Sequence, residues 1–215
     1  MNKICNYLEF LKALGFRQIP CSTTIKETKN ISIEEINKEI RECKKCELHK
    51  TRKTPVCGQG SIDSELMFVG EAPGYEEDLE GKPFIGEAGK LLSRLIEKMG
   101  FRREDVYITN AVKCHPPLNR DPSEEEIKSC LNYLQKEIEL ISPKVIMALG
   151  KVATYALLGT KGKLKDLQIS KVRGKVFYFN KIPVIPTFHP AYLLRNRKDK
   201  WLTWQDAQEA LRRLK

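Results

Sequence analysis

The sequence predicts an α/β fold: a single domain with a central four-stranded, mainly parallel sheet flanked by helices. Two observations carry that prediction. Short apolar runs alternate with amphipathic stretches along most of the 215 residues, the pattern of strands joined through crossover helices. Three of those runs also end in polar sequences, Gly70-Glu-Ala-Pro-Gly74, Thr109-Asn110 and His189-Pro190. In open parallel sheets the chemistry gathers beyond the carboxyl ends of the strands.

The elements follow in order. Residues 2–15 read as an amphipathic helix, with Ile4, Leu8, Leu11 and Leu14 on one face and Gly15 as a stop. Residues 20–30 are polar and read as a linker, so residues 1–30 form an extension and linker ahead of a domain over 31–215. Ser32 caps a second helix running to about residue 41. Glu65–Gly70 reads as a buried strand, and about 87–99 as a helix with Leu91, Leu92, Leu95 and Ile96 turned inward. Val106–Asn110 is the second strand. Pro122-Ser123 opens a long helix whose first turn carries Glu124, Glu125 and Glu126, where carboxylates complement the helix dipole. Lys144–Gly150 is the third strand, followed by a short helix over 151–158. Val172–Phe179 pairs with Ile182–Pro186 as an edge hairpin around Asn180-Lys181. The strand around 184–187 delivers Phe188-His-Pro190, and a helix over about 203–214 closes the chain.

Composition narrows the partners. Thirty-eight Lys and Arg against 28 Asp and Glu leave a formal charge of +10, which draws the chain towards polyanions. Nothing reads as a signal peptide or membrane span, because Glu9 interrupts the first apolar stretch. The expected location is therefore intracellular, in the cytoplasm and at the nucleoid, where thiols stay reduced. A charged fraction of 31%, rich in Lys and Glu, points to a thermophile. Thermophile cytosols tolerate disulfides, which brings a Cys5–Cys21 bridge into consideration.

Four of the seven cysteines form a pattern. Cys43 and Cys46 make a C-x-x-C pair among lysines and glutamates, Cys114 follows an apolar run, and Cys130 lies 16 positions further on in a helix. Four thiolates from separate elements suit a scattered zinc site or a [4Fe–4S] cluster. Ordinary burial fits Cys57 and fits the Cys43/Cys46 pair poorly. No P-loop or G-x-G-x-x-G follows a strand. His115 reads as structural, and His49 as a surface residue or one supporting a metal ligand.

Gly70-Glu-Ala-Pro-Gly74, Gly81-Lys-Pro-Phe-Ile-Gly86, Asn110 at a strand end and His189-Pro-Ala-Tyr-Leu-Leu-Arg195 closely resemble the family 4 uracil-DNA glycosylases. These are iron–sulfur enzymes of the uracil-DNA glycosylase superfamily. The resemblance runs from about residue 40 to the C-terminus, and residues 1–30 lie outside it. It implies an iron–sulfur lobe in which Cys43, Cys46, Cys114 and Cys130 hold a [4Fe–4S] cluster. It implies excision of uracil from DNA by hydrolysis of the N-glycosidic bond, leaving an abasic site.

The chemistry is consistent with that resemblance. Uracil leaves as an anion from a cationic sugar, so both charges need support. His189 is expected to donate to uracil O2, and the backbone of Gly70, Ala72 and Pro73 to share that load. Asn110 matches the N3–H donor and O4 acceptor of uracil and rejects cytosine, which presents the reverse pattern. Phe84 offers a face for the flipped base. Glu71 either orients a water or stabilises the sugar cation. Family 1 enzymes carry an aspartate where this chain has Ala72, so a water-activating role does not pass to that residue. Glu77 is the candidate for excluding the thymine methyl, with a solvated loop acid as the alternative. Leu193, Leu194 and Arg195 are expected to fill the gap left by the flipped nucleotide and to hold the DNA.

Lys161, Lys163, Lys165, Lys171, Arg173 and Lys175 offer phosphate contacts, with a solvated basic face as the equal alternative. Each site residue also has a packing role to weigh: Asn110 as a turn former, Phe84 as a core aromatic, His189 as a packed core histidine. All three standing at strand ends favours the functional reading. A related glycosylase of broader base choice and a non-catalytic iron–sulfur DNA-binding module are the competing functions. Uracil-containing DNA is the implied partner of a monomeric enzyme. No clear sliding-clamp peptide stands out, which leaves a sliding clamp or other repair proteins open.

Overall fold

The computed structural model describes residues 32–159 and 162–214. The expected helix over 2–15, the linker, the Cys5–Cys21 pair and Lys161 lie outside the described residues. Strands are β1 (Gln59–Gly60), β2 (Leu66–Gly70), β3 (Tyr107–Asn110), β4 (Val145–Leu149), β5 (Phe177–Phe179) and β6 (Ile182–Thr187). The helices among the described residues are α1 (Ile33–Glu42), α2 (Tyr75–Glu80), α3 (Glu87–Lys98) and α4 (Glu124–Ile141), then α5 (Gly150–Leu158), α6 (Ile169–Val172), α7 (Pro190–Arg195) and α8 (Lys200–Leu214).

The sheet has six strands rather than the four expected, in the order β1-β3-β2-β4-β6-β5. The four inner strands run parallel, and β1 and β5 join antiparallel at the two edges. The edge strand β1 is two residues long and has no apolar run to announce it. Of the stretch read as one strand over 172–179, only Phe177–Phe179 pairs as β5; Val172 ends the short helix α6, and a turn lies between them.

Burial on both faces explains the continuous apolar runs of β2 and β4, every residue of which is buried. Leu66, Phe68, Ile108, Val145, Met147 and Leu149 face one cluster with Leu92 and Ile96 of α3 and Ala207 and Ala210 of α8. The alternate residues Met67, Val69, Ile146 and Ala148 are equally buried. Thr109, on that second face of β3, bonds Glu137 of α4. The sheet is thus covered on both sides, and its open ground is the carboxyl edge of the parallel strands.

Helix boundaries have local causes. Ser32 and Ser123 each accept a bond from the third helical N–H, and Glu35 and Glu126 reach back to the cap N–H. These reciprocal caps satisfy amides that the helix leaves free. Helix α2 was not expected, because its six residues sit inside what reads as a polar loop.

Candidate functional site

The site forms where β2, β3 and β6 end. Parallel pairing sets Gly70 beside Asn110, and β6 runs on into His189 at the start of α7. Glu71, Ala72, Pro73, Gly74, Glu77 and Phe84 line one cleft of about 490 Å³ together with Asn110, His189 and Arg195. The catalytic and base-binding residues expected from the sequence, Gly70 aside, all line this cleft. Gly70 lies directly beneath it: a Cβ there would overlap the Phe84 ring and Asn110 Oδ1. Only glycine lets the ring and the amide close over the strand end.

Asn110 is buried, and among the described residues its Oδ1 has no hydrogen-bond partner. An orphaned buried amide oxygen costs roughly 1–3 kcal/mol, so its retention in a cleft points to a ligand that supplies the donor. Phe84 is also buried and stands at φ 53°, a left-handed conformation that costs a non-glycine residue about 1–2 kcal/mol. Arg103 holds it there, donating to the carbonyls of Pro83 (2.7 Å) and Phe84 (3.1 Å). The Phe84 and His189 rings lie 5.8 Å apart between centroids.

His189 caps α7. Its Nδ1 accepts from the Ala191 N–H at 3.2 Å, which leaves Nε2 to carry the proton. Burial pushes its pKa down to about 4, the Glu77 carboxylate opposing. The imidazole is therefore neutral near pH 7 and presents an N–H. Gly150, at φ 90°, sits against it, and a Cβ there would come within 3.0 Å of His189 Cβ.

Glu71 has its pKa raised to about 7, by burial first and then by the Asp121 carboxylate, with Lys151 opposing. Asp121 pairs with Lys151 at 2.9 Å. Glu77 is no solvated loop acid. Its carboxylate accepts from the N–H groups of Gly74 (3.0 Å), Ile85 (3.1 Å) and Gly86 (3.2 Å), tying the 70–74 loop to the Phe84 loop. Beside it Asp78, which is buried, accepts from the Lys53 N–H. His115 Nδ1 lies 2.8 Å from the Pro73 carbonyl.

Leu193 corrects an expectation. It is buried, lining a space with Leu91, Leu92 and Trp204, so of the three residues expected to meet DNA only Leu194 and Arg195 face outward. Neighbouring residues on a helix stand about 100° apart, so two adjacent leucines can face core and solvent, which sequence order does not reveal. Arg173 is likewise engaged, bonding Asp206 at 2.6 Å and the Leu202 carbonyl, while Lys163, Lys165, Lys171 and Lys175 are exposed.

Sequence reasoning missed the 116–121 loop. Pro116, Asn119, Arg120 and Asp121 line the cleft, and Arg120 is fixed to Glu126 by two bonds of 2.8 and 2.6 Å. At its tip Leu118 is 97% exposed, with φ 56° there and 54° at Asn119. A solitary leucine between prolines and a basic residue carries no periodic signal.

A second cavity lies at the far end of the 110–114 segment. Cys43, Cys46, Cys114 and Cys130 all line it, with His49, Arg52 and Tyr133; Cys57 does not. Arg52 Nη1 donates to Cys114 Sγ at 3.0 Å, and its Nη2 to the carbonyls of Cys43 and Arg41. The Lys113 N–H points at Cys130 Sγ at 3.3 Å, and His49 Nδ1 lies 2.7 Å from the Cys46 carbonyl. Burial raises the Cys46 and Cys114 thiols, and pushes Cys130 up to about 12. Among the described residues no three Cys, His, Asp or Glu side chains are grouped to hold one ion. A single zinc, with bonds of about 2.3 Å, needs its sulfurs roughly 3.8 Å apart. The four thiols around this one cavity are the donor set that a thiolate-bound cluster takes.

A family model described as the uracil DNA glycosylase superfamily matches residues 57–215. The Type-4 uracil-DNA glycosylase of Saccharolobus solfataricus is 54% identical over 163 residues, covering 74% of this chain and 75% of that protein. The Type-4 uracil-DNA glycosylase of Archaeoglobus fulgidus is 48% identical over 170 residues, 76% and 83% of the two chains. A Type-5 uracil-DNA glycosylase of Pyrobaculum aerophilum is 32% identical over 174 residues, 74% of each.

Proposed function

The chain belongs to the uracil DNA glycosylase superfamily, and from that premise we propose how its cleft performs the excision. Its function is that of a uracil-DNA glycosylase in DNA repair. The observation that carries the mechanism is the unpartnered, buried Oδ1 of Asn110 beside a neutral His189 in one cleft.

The flipped uracil stacks on Phe84, whose left-handed backbone is held before the base arrives. Asn110 accepts from N3–H and donates to O4. Cytosine, with an acceptor at N3 and a donor at C4, would meet the amide like to like, and unpaired buried groups reject a substrate strongly. His189 Nε2–H donates to O2 as negative charge develops there. A neutral donor needs no counter-charge and transfers no proton to a weakly basic leaving group. The N–H groups of the 70–74 loop add to that support. Glu71, balanced between its two charge states near neutral pH, in its ionised form faces the cationic sugar or orients the attacking water. Glu77 walls the cleft where the 5-methyl of thymine would enter, and its three backbone bonds keep that wall from yielding.

Cys43, Cys46, Cys114 and Cys130 would hold a [4Fe–4S] cluster. Bound there it supplies no redox step to a hydrolysis and pins three segments of chain together. Leu194 and Arg195 would meet the DNA beside the cleft, with the exposed lysines giving affinity without sequence preference. Every group named lies on one chain, so a monomer suffices. Residues 31–215 form the glycosylase domain in this reading, 1–30 an extension to it. No helix among the described residues is long and apolar enough to cross a membrane. We read the enzyme as intracellular, working on nucleoid DNA in a thermophile, with a sliding clamp or another repair protein as a partner to be sought.

The test is incubation with oligonucleotides carrying uracil, hypoxanthine or a mismatched thymine, followed by alkaline cleavage of abasic sites. Cleavage confined to uracil is expected. Cleavage of none, by folded protein, would overturn the reading, and comparable cleavage of hypoxanthine or thymine would move it to a glycosylase of broader base choice.

A further inference from the structure

Beneath the base-reading amide lies an ion pair that excision itself does not call for. Lys113 is 1% exposed and Glu137 fully buried, and they meet at 2.6 Å between Nζ and Oε2. The ammonium has three acceptors: Glu137, Thr109 Oγ1 at 2.6 Å and the backbone carbonyl of Asn110 at 2.9 Å. Glu137 in turn accepts from the Thr109 hydroxyl at 3.0 Å and from Tyr107 O–H at 3.4 Å. Every donor of the ammonium is used, and both carboxylate oxygens are engaged.

Such a pair is a poor way to stabilise a fold. Desolvating two charges costs several kcal/mol each, and apolar residues of similar volume often do as well or better. What the pair does secure is position. Asn110 is the last residue of β3, and beyond it the chain leaves the sheet, Ala111 and Val112 bonding to the carbonyls of Gly70 and Glu71. With Oδ1 unpartnered, the amide takes its aim from the backbone that carries it. The Asn110 carbonyl is the one part of that residue gripped by a charged donor.

We propose that Lys113 and Glu137 are positioning residues for base recognition: their buried bridge clamps the Asn110 carbonyl and so fixes the direction in which its amide meets uracil. This rests on the reading of Asn110 as the base reader. The same residue reaches the thiol-lined lobe, because the Lys113 N–H points at Cys130 Sγ while its side chain holds Asn110. Order in the lobe is thereby passed to the amide through one residue.

The test separates aim from stability. Lys113→Met combined with Glu137→Leu removes both charges together and leaves no uncompensated ion. The expected protein melts within a few degrees of the parent and binds uracil-containing DNA as tightly. Its single-turnover uracil excision falls by about 10- to 100-fold, the range that a displacement near 1 Å produces, and its preference for uracil over cytosine narrows. Glu137→Gln keeps an acceptor for Nζ and should fall between parent and double variant. A folded double variant with the parent's rate and preference would overturn the proposal. Should the double variant fail to fold, Glu137→Gln decides: unchanged rate and preference overturn it, a reduced rate with unchanged DNA binding upholds it. If the parent releases no uracil, what fails is the function and not this assignment.

Discussion

The cleft and the thiol-lined cavity share residues 110–114 and use them in opposite ways. At the cleft end polar groups are left unfinished: Asn110 Oδ1 has no partner, His189 offers a free Nε2–H, and Phe84 sits in a conformation it does not prefer. At the cavity end the surroundings are finished, with Arg52 and the Lys113 N–H aimed at sulfur and His49 at a carbonyl. A site that must bind and release keeps its vacant bonds facing a cleft, whereas a site that only holds closes around its occupant. Under the proposed function the first of these ends is the catalytic one and the second the structural one.

The sharpest way to break that contrast is at His189. Loss of one donor to a developing anion costs on the order of 100- to 1,000-fold, so His189→Ala should slow single-turnover excision by that much while DNA binding holds. Equal loss of both would make His189 a residue of the fold or of DNA binding. At the closed end, Arg52→Ala should lower cluster retention about 10- to 100-fold, as loss of a ligand-supporting bond does. Absorbance near roughly 400 nm per protein reads it, with Cys57→Ser as the variant that keeps its colour. Stoichiometric zinc and no iron in the parent would remove the cluster altogether.

A third measurement uses pH. Glu71 is raised to about 7 and His189 lowered to about 4, so of these two the carboxyl is the one that changes charge near neutral pH. If the ionised form works, the rate should climb with pH, close to tenfold per unit below about 7, and level above it. Glu71→Gln should flatten the climb, and a wild-type rate falling below pH 6 with an unflattened variant would dismiss Glu71. The smallest effect belongs to Arg195→Ala: weaker binding and a salt dependence of log affinity shallower by about one, with little change in single-turnover chemistry. An unchanged slope would take Arg195 out of the phosphate contacts.

The sequence made the cleft largely legible because strand ends, glycines and a lone strand-end amide are local signals. It also revealed which four of the cysteines line one cavity. It hid what depends on distance or direction. Lys113 and Glu137 stand 24 positions apart, and in sequence each looks like one more member of a solvated charged face. Arg52 and Arg103 act on backbone carbonyls, which leave no mark on their neighbours. Leu193 and Leu194 are adjacent and chemically alike, and only the packing of α7 against α3 tells the buried one from the exposed.

Helix α4 carries Glu126, which fixes the Arg120 loop at the cleft, Cys130, which faces the thiol cavity, and Glu137, which holds Lys113. The spacings of four and seven put all three on one stripe, since 11 residues complete about three turns. This helix is therefore a gauge as much as a support. A substitution at any of the three positions disturbs one task, but a single inserted residue between Glu126 and Glu137 would swing everything beyond it by about 100°. Loop, cavity and amide clamp could then no longer be served together. Over evolutionary time this segment should tolerate many replacements and almost no change of length.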